Sequence, residues 1–542
     1  MIKLKGKGVC TEIAIGKAKI IGKQTQVAQK RHIDNIEAEL SRYLEARALA
    51  RAELSEIYKR ALKEVGETSA QIFEIHKMML DDEDYNEGVV SIIRQGINAE
   101  YAVFSTGKSF SELLASMEDG YMRARALDIK DISNRLISCL KNEKKSEDVA
   151  EKCIICAYDI SPSEAVLLDK EQVLAFVTAH GSQTSHTAIL ARNMGIGAVV
   201  GVGEELLDSV CEGELICVDG YTGEVIISPS EEQIRETEEK IALSKKKKEL
   251  LRSLRGKPSV TLDGTRVNLF ANIGSPSDIG EVIFNDAEGV GLFRSEFLYL
   301  ERGDYPSEQE QYLAYKRVVE GMNGKRVIIR TLDIGADKQA SYFHLPSEEN
   351  PALGLRAIRI CLTRPEVFKT QLRALYRASA HGLLGIMFPM IISVDEVLKI
   401  KDIIAEVKRE LDSEGIAYSS EVELGIMIET PASAIIADLL APHVDFFSVG
   451  TNDLTQYTLA CDRQSTSLDE FCDTHHEAVI RLIDRATRCA HENGAWIGIC
   501  GELASDLSLT ELFLRIGIDE LSVSPSQILP LREAIRELDL RR

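Results

Sequence analysis

The first stretch that could do chemistry surrounds a single histidine, His186, in the sequence GSQTSHTAILARNMGIGAVVG at residues 181–201. A polar turn runs there into an apolar segment, and this pattern predicts a helix that Thr184 or Ser185 caps. An imidazole in the first turn of a helix lies beside free N–H groups and the positive end of the helix dipole, which favour an anion. His186 is therefore a candidate carrier of a phosphoryl group. This window alone leaves open the alternative of a capped helix with an incidental histidine.

A second set of reactive side chains lies in the C-terminal half, where each residue comes at or near the end of a short apolar run. The set consists of Arg294 in GVGLFRSEF, Arg330 in IIRTLDIGADK (followed by Asp333 and Lys338), Glu429 in GIMIETP, Asn452 and Asp453 in FFSVGTNDLTQY, and Cys500 in GICGELA. Taken singly, each residue could form a structural ion pair or cap a loop. Their common position at strand ends favours an active site.

The chemistry of this set indicates a small anionic substrate. Glu429 and Asp453 are the minimum that can hold Mg²⁺ while leaving positions for water and substrate oxygens. Arginines bind phosphate and carboxylate groups bidentately, and the thiol of Cys500 could donate or accept a proton. A doubly anionic, magnesium-bound substrate beside a thiol acid suggests phosphoenolpyruvate, because removal of its phosphoryl group leaves an enolate that must be protonated at carbon.

The elements that must position this set form a repeating pattern. From Val260 onward, eight strand-like runs alternate with helical segments: RVNLFANI, EGVGLFR, RVIIRTLD, LLGIMFPM, ELGIMIE, VDFFSVG, AWIGIC and DELSVSP. This alternation predicts a (β/α)8 barrel over residues 257–542. Functional residues of such barrels gather at the C-terminal ends of the strands.

The N-terminal half predicts an α/β domain that is interrupted by helices. Short apolar runs in residues 1–30 and 147–228 indicate strands, one or two of them within residues 1–22. Residues 31–146 carry apolar side chains at helical spacing and predict an inserted helical bundle. The charged segment 229–256, helical over 231–252, is either a solvated surface helix or a connector. Its position between two unlike regions favours the connector.

Composition narrows the class of protein. The chain has 542 residues, of which 44% are hydrophobic and 28% charged, and this fits several globular domains. A formal net charge of −22 argues against nucleic acid or an anionic membrane as the main partner. The N-terminus has no apolar signal core, and no run is long enough to span a bilayer.

Cysteine usage indicates a reducing compartment. The eleven cysteines are odd in number and scattered along the chain, which predicts reduced thiols in a cytoplasmic protein. Cys153 and Cys156 form a CxxC within an apolar run, and no second pair lies at metal-ligand spacing. We therefore expect a buried strand there rather than a zinc or redox site.

Together these motifs make the chain resemble Enzyme I of the bacterial phosphoenolpyruvate:sugar phosphotransferase system over nearly its whole length. The blocks that carry the resemblance are TSHTAILAR, GVGLFRSEF, RTLDIGADK, ENPALGLRAIRI, IMFPMI, IETPASA, FFSVGTNDLTQYTLACDR and ICGELA. The resemblance implies a multidomain α/β fold. An α/β phosphohistidine domain with an inserted helical bundle precedes a (β/α)8 barrel of the TIM type.

The resemblance also implies a reaction and the residues that perform it. His186 takes the phosphoryl group from phosphoenolpyruvate and passes it to the histidine-containing phosphocarrier protein, the first step of sugar uptake. Cys500 protonates the enolate, while Glu429 and Asp453 hold Mg²⁺. The substrate-binding residues that it implies are Arg294, Arg330, Asn452, Asp453 and Arg463, with Arg356 and Lys338 nearby.

Each domain acquires a role from the same resemblance. The inserted helices correspond to the family's docking subdomain for the phosphocarrier, and the barrel corresponds to its dimerisation domain, so a homodimer is expected. One imidazole must reach both the barrel rim and a docked carrier. We therefore expect the α/β domain to swing on the segment 231–252.

Four features depart from the family's pattern. Ala165 stands where the family usually has a threonine after SPSE, close to the phosphorylated histidine, so the group that orients the imidazole is unassigned. Gly197 and Glu477 stand where prolines are usual. The chain stops at Arg542, soon after the eighth strand, where relatives commonly extend further, and we expect part of the closing barrel helix to be missing.

Two alternatives stay open at this point. Pyruvate phosphate dikinase and phosphoenolpyruvate synthase resemble this chain in the histidine domain and the barrel, but they need an ATP-binding domain, and no glycine-rich nucleotide loop occurs here. A phosphorelay or regulatory homologue that has lost phosphoenolpyruvate chemistry would keep the fold. The intact charged residues argue against this homologue, whereas Ala165 and the short C-terminus favour it.

Overall fold

The computed structural model describes residues 2–10, 12–21, 28–64, 67–116, 120–141, 152–160, 168, 172–181, 187–188, 191, 196–300, 302–335, 340–346, 348–463, 465, 468 and 470–541. Contacts within the chain divide it into two compact units, Met1–Lys246 and Lys247–Arg542. Among the described residues, no helix is both long and apolar enough to cross a membrane.

The first unit contains a mixed β-sheet. Its strands are β1 (Ile2–Lys5), β2 (Lys7–Gly8), β3 (Ile13–Ile21), β4 (Cys153–Ala157), β5 (Val173–Thr178), β6 (Gly197–Val200), β7 (Leu215–Asp219) and β8 (Glu224–Ile227). They follow the order β1-β8-β7-β3-β4-β5-β6-β2. Pairing is parallel from β3 to β6 and antiparallel where β7 meets β3 and β8. Strand β4 is buried along its whole length, which confirms the interpretation of Cys153 and Cys156 as strand residues.

Residues 2–21 form three strands, whereas the sequence predicts one or two. Strand β1 pairs with β8 and strand β2 pairs with β6, at opposite ends of the strand order. The chain passes from one to the other at Gly6, where a methyl group would lie 2.6 Å from the carbonyl oxygen of Val200. Only glycine fits so close an approach. At this residue the backbone passes from pairing with β8 to pairing with β6.

Five helices lie between β3 and β4 among the residues that the structure describes, and they confirm the inserted helical bundle. They are α1 (Ile36–Glu64), α2 (Glu67–Leu80), α3 (Glu83–Arg94), α4 (Ala99–Ala115) and α5 (Gly120–Leu140). Their core includes Tyr43, Phe73 and Val89. Asp82 separates α2 from α3, because its carboxylate accepts a hydrogen bond from the backbone N–H of Tyr85 at 2.8 Å and so caps α3.

Among the described residues, two more helices lie before the barrel in the chain. Helix α6 (Glu205–Ser209) precedes β7, and helix α7 (Glu231–Arg252) follows β8. Thr237 is buried, whereas the other side chains of α7 are at least partly exposed. The predicted helix over 231–252 is therefore confirmed, and its role as a connector stays a prediction.

The second unit is a closed barrel of parallel strands. The strands are β9 (Asn268–Ile273), β10 (Gly289–Arg294), β11 (Val327–Arg330), β12 (Leu384–Phe388), β13 (Glu423–Ile428), β14 (Phe446–Val449), β15 (Trp496–Ile499) and β16 (Glu520–Val523). Each pairs with the next, and β16 closes the barrel on β9. All eight strand-like runs of the sequence are confirmed as barrel strands.

The helices of this unit alternate with the strands. They are α8 (Ile279–Phe284), α9 (Glu308–Gly321), α10 (Ile358–Thr363), α11 (Pro365–Ser379), α12 (Val394–Glu414), α13 (Pro431–Ile435), α14 (Ala437–Leu440), α15 (Thr451–Leu459), α16 (Glu477–Glu492), α17 (Leu507–Ile516) and α18 (Ile528–Glu537). Helix α18 is the ten-residue helix that follows the last strand. Its Arg532 is fully buried and donates hydrogen bonds to the side chain and backbone of Asp286, so the closing helix is anchored to the barrel.

The interior of the barrel is filled with side chains. Its core consists of Phe270, Leu292, Ile328, Met387, Met427, Phe446 and Cys500. The ring of Phe446 stacks on Trp496 with centroids 4.6 Å apart and covers Gly425, where a methyl group would lie 2.2 Å from the ring carbon Cε2. A floor of packed side chains therefore lies below the rim, as is usual for such barrels.

The packing around Phe446 gives a test of this floor. We expect Gly425→Ala to lower the free energy of unfolding of the barrel by about 1–3 kcal/mol, because the added methyl group has to displace a buried ring. Gly385→Ala is the matched control, since a methyl group there would lie 3.4 Å from its nearest neighbour, Cγ1 of Ile328. Urea denaturation should separate the two variants, and equal stability would contradict this packing.

Candidate active site at the barrel rim

Parallel strands bring most of the residues singled out in the C-terminal half to one rim of the barrel. Strand β10 ends at Arg294 and strand β11 at Arg330, and these two residues are paired in the sheet register. Glu429 follows β13 directly, and Cys500 follows β15. Asn452 and Asp453 lie in the first turn of α15, which begins two residues after β14 ends. The C-terminal ends of the strands therefore carry this candidate site, as expected.

Arg330 lies between two buried carboxylates. Its Nη2 donates to Oε1 of Glu296 at 2.6 Å, and its Nη1 lies 3.0 Å from Oδ2 of Asp333. Burial disfavours the charged guanidinium, but the carboxylates of Glu296 and Asp333 outweigh burial and raise the pKa of Arg330. The guanidinium is thus held charged and in one orientation inside the barrel rim.

Arg356 continues this row of alternating charges. Its Nη2 donates to Oδ1 of Asp333 at 3.0 Å and lies 3.8 Å from Oδ2 of Asp453. Asp453 in turn lies 3.7 Å from Nη2 of Arg463. Asp333 is shared by two arginines, so it fixes their spacing. The pKa of Arg356 is raised as well, because Asp333 and Asp453 outweigh the effect of burial.

Glu429 is buried, and only one of its two carboxylate oxygens accepts a hydrogen bond from the described residues. The backbone N–H of Met390 donates to its Oε1 at 2.6 Å, whereas Oε2 has no hydrogen-bond partner among the described residues. Burial, together with the nearby carboxylates of Asp453 and Asp333, raises the pKa of Glu429 to about 8. Two carboxylates that repel each other in a buried site are a donor set that fits a hard cation such as Mg²⁺.

The backbone around Glu429 explains its position. Met390 has a φ of 58°, a left-handed conformation that is uncommon for a residue with a side chain. A methyl group at Gly450 would lie 2.9 Å from Oε2 and 3.0 Å from Cβ of Glu429. The site therefore depends on a strained residue on one side of the carboxylate and on a glycine on the other.

Cys500 lies at the top of the interior core and is 3% exposed. Its Sγ lies 3.6 Å from the carbonyl oxygen of Val449, toward which the thiol points. Burial raises the pKa of the Cys500 thiol to about 12. A thiol with this pKa stays protonated at neutral pH and can act only as a proton donor there.

Three residues of the candidate set are accessible to solvent. The side chain of Arg294 is exposed and makes no hydrogen bond or ion pair with any other described residue. Arg463 is 39% exposed at its side chain. Asn452 is half-buried and exchanges hydrogen bonds of 2.9 Å with the side chain and backbone of Glu502. Arg294 and Asn452 can turn toward a ligand without breaking a buried ion pair, whereas Arg463 would leave its pairing with Asp453.

Part of the predicted site lies outside the described residues. His186, Lys338 and Ala165 belong to that part, so their geometry is not specified. Next to His186, Thr187 is fully buried and its Oγ1 donates to Asp159 at 3.2 Å.

Two of the other departures, Gly197 and Glu477, have local explanations. A methyl group at Gly197 would lie 2.7 Å from the carbonyl oxygen of Glu12, so this chain has no room for a larger residue there. Glu477 is the first residue of α16 and forms an ion pair with Arg481 one turn later. A negative charge at this end also suits the helix dipole.

The structure adds Glu296, Met390 and Tyr457, which the sequence analysis does not select, and it pairs Asp333, already part of the predicted set, with two arginines. Glu296 and Asp333 hold the arginines, Met390 holds Glu429, and the hydroxyl of Tyr457 accepts a hydrogen bond from Nη1 of Arg356 at 3.0 Å. Tyr457 could have been found from sequence, since it lies one helical turn after Asp453 and shares its face. The backbone conformation of Met390 has no signal in the sequence.

Protein-family models match most of the chain. They describe the N-terminal domain of phosphoenolpyruvate-utilising enzymes at residues 5–125, the mobile domain at 149–223 and the phosphoenolpyruvate-binding domain at 248–540. Three curated relatives bear the name phosphoenolpyruvate-protein phosphotransferase. The relative from Priestia megaterium is 42% identical over 99% of this chain and 94% of its own length. The relative from Bacillus subtilis (strain 168) is 43% identical over 99% and 95%, and that from Listeria innocua is 43% identical over 99% and 94%.

The chain belongs to the phosphoenolpyruvate-protein phosphotransferase family. The resemblance to Enzyme I is thereby confirmed, as is the multidomain α/β fold. The barrel rim lies within the segment that matches the phosphoenolpyruvate-binding domain.

For this member of the phosphotransferase family, the state of Cys500 can be tested by alkylation. At pH 8 a thiol with a pKa near 12 is ionised to roughly one part in ten thousand. We therefore expect iodoacetamide to modify Cys500 at least about 100 times more slowly than the exposed Cys211. Peptide mass spectrometry over time measures both rates in one sample, and equal rates would contradict a buried, neutral thiol.

Proposed function

We propose that this chain transfers the phosphoryl group of phosphoenolpyruvate to its own His186 and then to a histidine-containing phosphocarrier protein. The observation that carries the proposal is the rim itself. Two buried arginines, two acids with open oxygens and a neutral thiol meet at the rim that the C-terminal ends of the strands form, in the segment that matches a phosphoenolpyruvate-binding domain. The names of the relatives support the same reaction.

Binding of the substrate falls to the arginines of the rim. Arg330 and Arg356 offer guanidinium groups whose positions are set by Glu296 and Asp333, so little reorganisation is needed when a phosphate or carboxylate arrives. Three residues of the set that solvent can reach would supply further contacts to the substrate: Arg294, Asn452 and Arg463. The resemblance adds Lys338 to them. Fixed charges at a buried rim stabilise the transferring phosphoryl group more than the same charges would in water.

Glu429 and Asp453 would hold Mg²⁺ at this rim. Their open oxygens, Oε2 of Glu429 and Oδ1 of Asp453, have no hydrogen-bond partner among the described residues and therefore suit a cation. When bound, Mg²⁺ supplies positive charge to the phosphate and enolate oxygens. Met390 and Gly450 keep the Glu429 carboxylate in place for this role.

Cys500 would donate the proton that converts the enolate into pyruvate. The bond between phosphorus and the enol oxygen breaks while a bond between phosphorus and an imidazole nitrogen of His186 forms. The enolate that is left takes the thiol proton of Cys500 at its terminal carbon and becomes pyruvate. The thiolate recovers its proton from water, so the enzyme returns to its starting state apart from the phosphohistidine.

The remaining roles concern partners and domains. Residues 1–30 and 147–228 form the phosphohistidine domain, residues 31–146 dock the phosphocarrier, 229–256 is the linker, and the barrel at 257–542 also forms a homodimer. The domain with His186 swings on the linker between donor and acceptor. We place the reaction in the cytoplasm, because an odd number of cysteines scattered along the chain fits reduced thiols.

A labelling assay tests the proposed function. Wild-type protein with labelled phosphoenolpyruvate and Mg²⁺ should acquire acid-labile phosphate on His186 and lose it to an added phosphocarrier protein. His186→Ala should remain unlabelled, and chelation of Mg²⁺ should prevent labelling. Absence of acid-labile phosphate on the wild type would refute the catalytic proposal and favour a regulatory homologue.

The same assay can be run in two directions on Cys500→Ala. We expect labelling by phosphoenolpyruvate to fall at least about 100-fold, because the enolate has no proton donor. Labelling of His186 by phosphorylated carrier should persist, since that half-reaction needs no proton at carbon. Cys489→Ala, which alters a buried thiol on α16, should keep both directions. If Cys500→Ala loses both directions, Cys500 has a structural role.

A further inference from the structure

The loop that carries Arg356 is fixed by contacts from several directions. We define the Arg356 loop as residues 348–357. The carboxylate of Glu348 accepts hydrogen bonds from the backbone N–H of Leu355 at 3.1 and 3.2 Å. Nη1 of Arg359 donates to the carbonyl oxygens of Leu353 and Gly354 at 2.9 and 2.8 Å. The loop therefore has a defined shape before any ligand binds.

At its C-terminal end the Arg356 loop packs tightly against the segment that follows β11. A methyl group at Gly335 would lie 2.4 Å from Cβ of Arg356, so the two backbones touch there. The N–H of Ala357 donates to the carbonyl oxygen of Ile334 at 3.0 Å. Ala357 has a φ of 51°, a strained value for alanine, and this turn directs Arg356 toward Asp333.

Tyr457 joins this loop to helix α15. Its hydroxyl donates to the carbonyl oxygen of Ala352 and accepts the hydrogen bond from Nη1 of Arg356 at 3.0 Å. Tyr457 lies one turn after Asp453 on α15, so both face Arg356. One hydroxyl therefore fixes both the backbone of the loop and the guanidinium that the loop carries.

We propose that Tyr457 is a positioning residue for Arg356 in the binding of phosphoenolpyruvate, a role that rests on the proposed function. Tyr457 does not need to touch the substrate. Its hydroxyl keeps Nη1 of Arg356 from collapsing onto Asp453, whose Oδ2 already lies 3.8 Å from Nη2. Without this restraint Arg356 can settle on Asp453, which would occupy both the guanidinium and a carboxylate that the reaction needs.

The consequence is a change in substrate binding rather than in the chemical step. Tyr457→Phe keeps the ring and removes only the hydroxyl. We expect the KM for phosphoenolpyruvate to rise roughly tenfold, the change typical of a lost hydrogen bond to a charged group. The kcat should change by less than about twofold, since Cys500 and His186 are untouched.

Tyr305→Phe is the matched control. The hydroxyl of Tyr305 also accepts a hydrogen bond from an arginine, Nη1 of Arg364 at 2.9 Å, and Tyr305 takes no part in the rim. Its KM and kcat should equal those of the wild type. Thermal melting of both variants shows whether the fold is retained.

A double-mutant cycle tests whether Tyr457 acts through Arg356. In an Arg356→Met background, Tyr457→Phe should raise the KM no further, because the group that it positions is gone. Independent, multiplicative effects of the two substitutions would overturn the proposal, as would an unchanged KM in Tyr457→Phe. These outcomes differ from failure of the proposed function, in which the wild type itself would not be labelled by phosphoenolpyruvate and the role of Tyr457 would fall with it.

Discussion

Two arginines buried among carboxylates are the constraint on which the rim of this barrel depends. A guanidinium removed from water is costly unless opposite charges surround it. Glu296, Asp333 and Asp453 supply those charges to Arg330 and Arg356 at the distances described above. Asp333 bridges both arginines, so neither can move without disturbing the other. The charges of the arginines are balanced by carboxylates within the protein. Each arginine nevertheless keeps N–H groups that could donate hydrogen bonds to a phosphate or carboxylate.

The barrel makes this arrangement possible by packing tightly beneath it. Phe446 and Met427 fill the interior below the rim, and Nη1 of Arg330 lies 3.8 Å from Sδ of Met427. The same floor leaves Cys500 without water around it, which accounts for its neutral thiol. Gly450 belongs to this design, because a larger residue would push Glu429 out of its place. The packing that stabilises the core therefore also holds the side chains of the site in place.

The sequence predicts the elements and the ends of the strands better than it predicts the contacts between them. Eight apolar runs, each spaced by a helical segment, determine a barrel, and the strand ends bring Arg330, Glu429 and Cys500 to one rim. That Asp333 would pair with Arg356 depends on a close approach at Gly335 and on the conformation of Ala357. Both arise only when two distant loops pack together, so no local pattern reveals them. The split strand at Gly6 escapes prediction for the same reason.

The most direct test of the rim is a calorimetric titration of phosphoenolpyruvate, in the presence of Mg²⁺, into His186→Ala protein and into two lysine variants made in that background, so that binding is measured without phosphoryl transfer. Arg330→Lys keeps the positive charge at the C-terminal end of β11 but loses the fork that spans Glu296 and Asp333. Arg326→Lys alters the arginine just before the other end of that strand, where it pairs with Glu423 at 3.0 Å. We expect affinity to fall at least about tenfold for Arg330→Lys and to stay unchanged for Arg326→Lys. Equal affinity in all three proteins would contradict a substrate site built on these buried arginines.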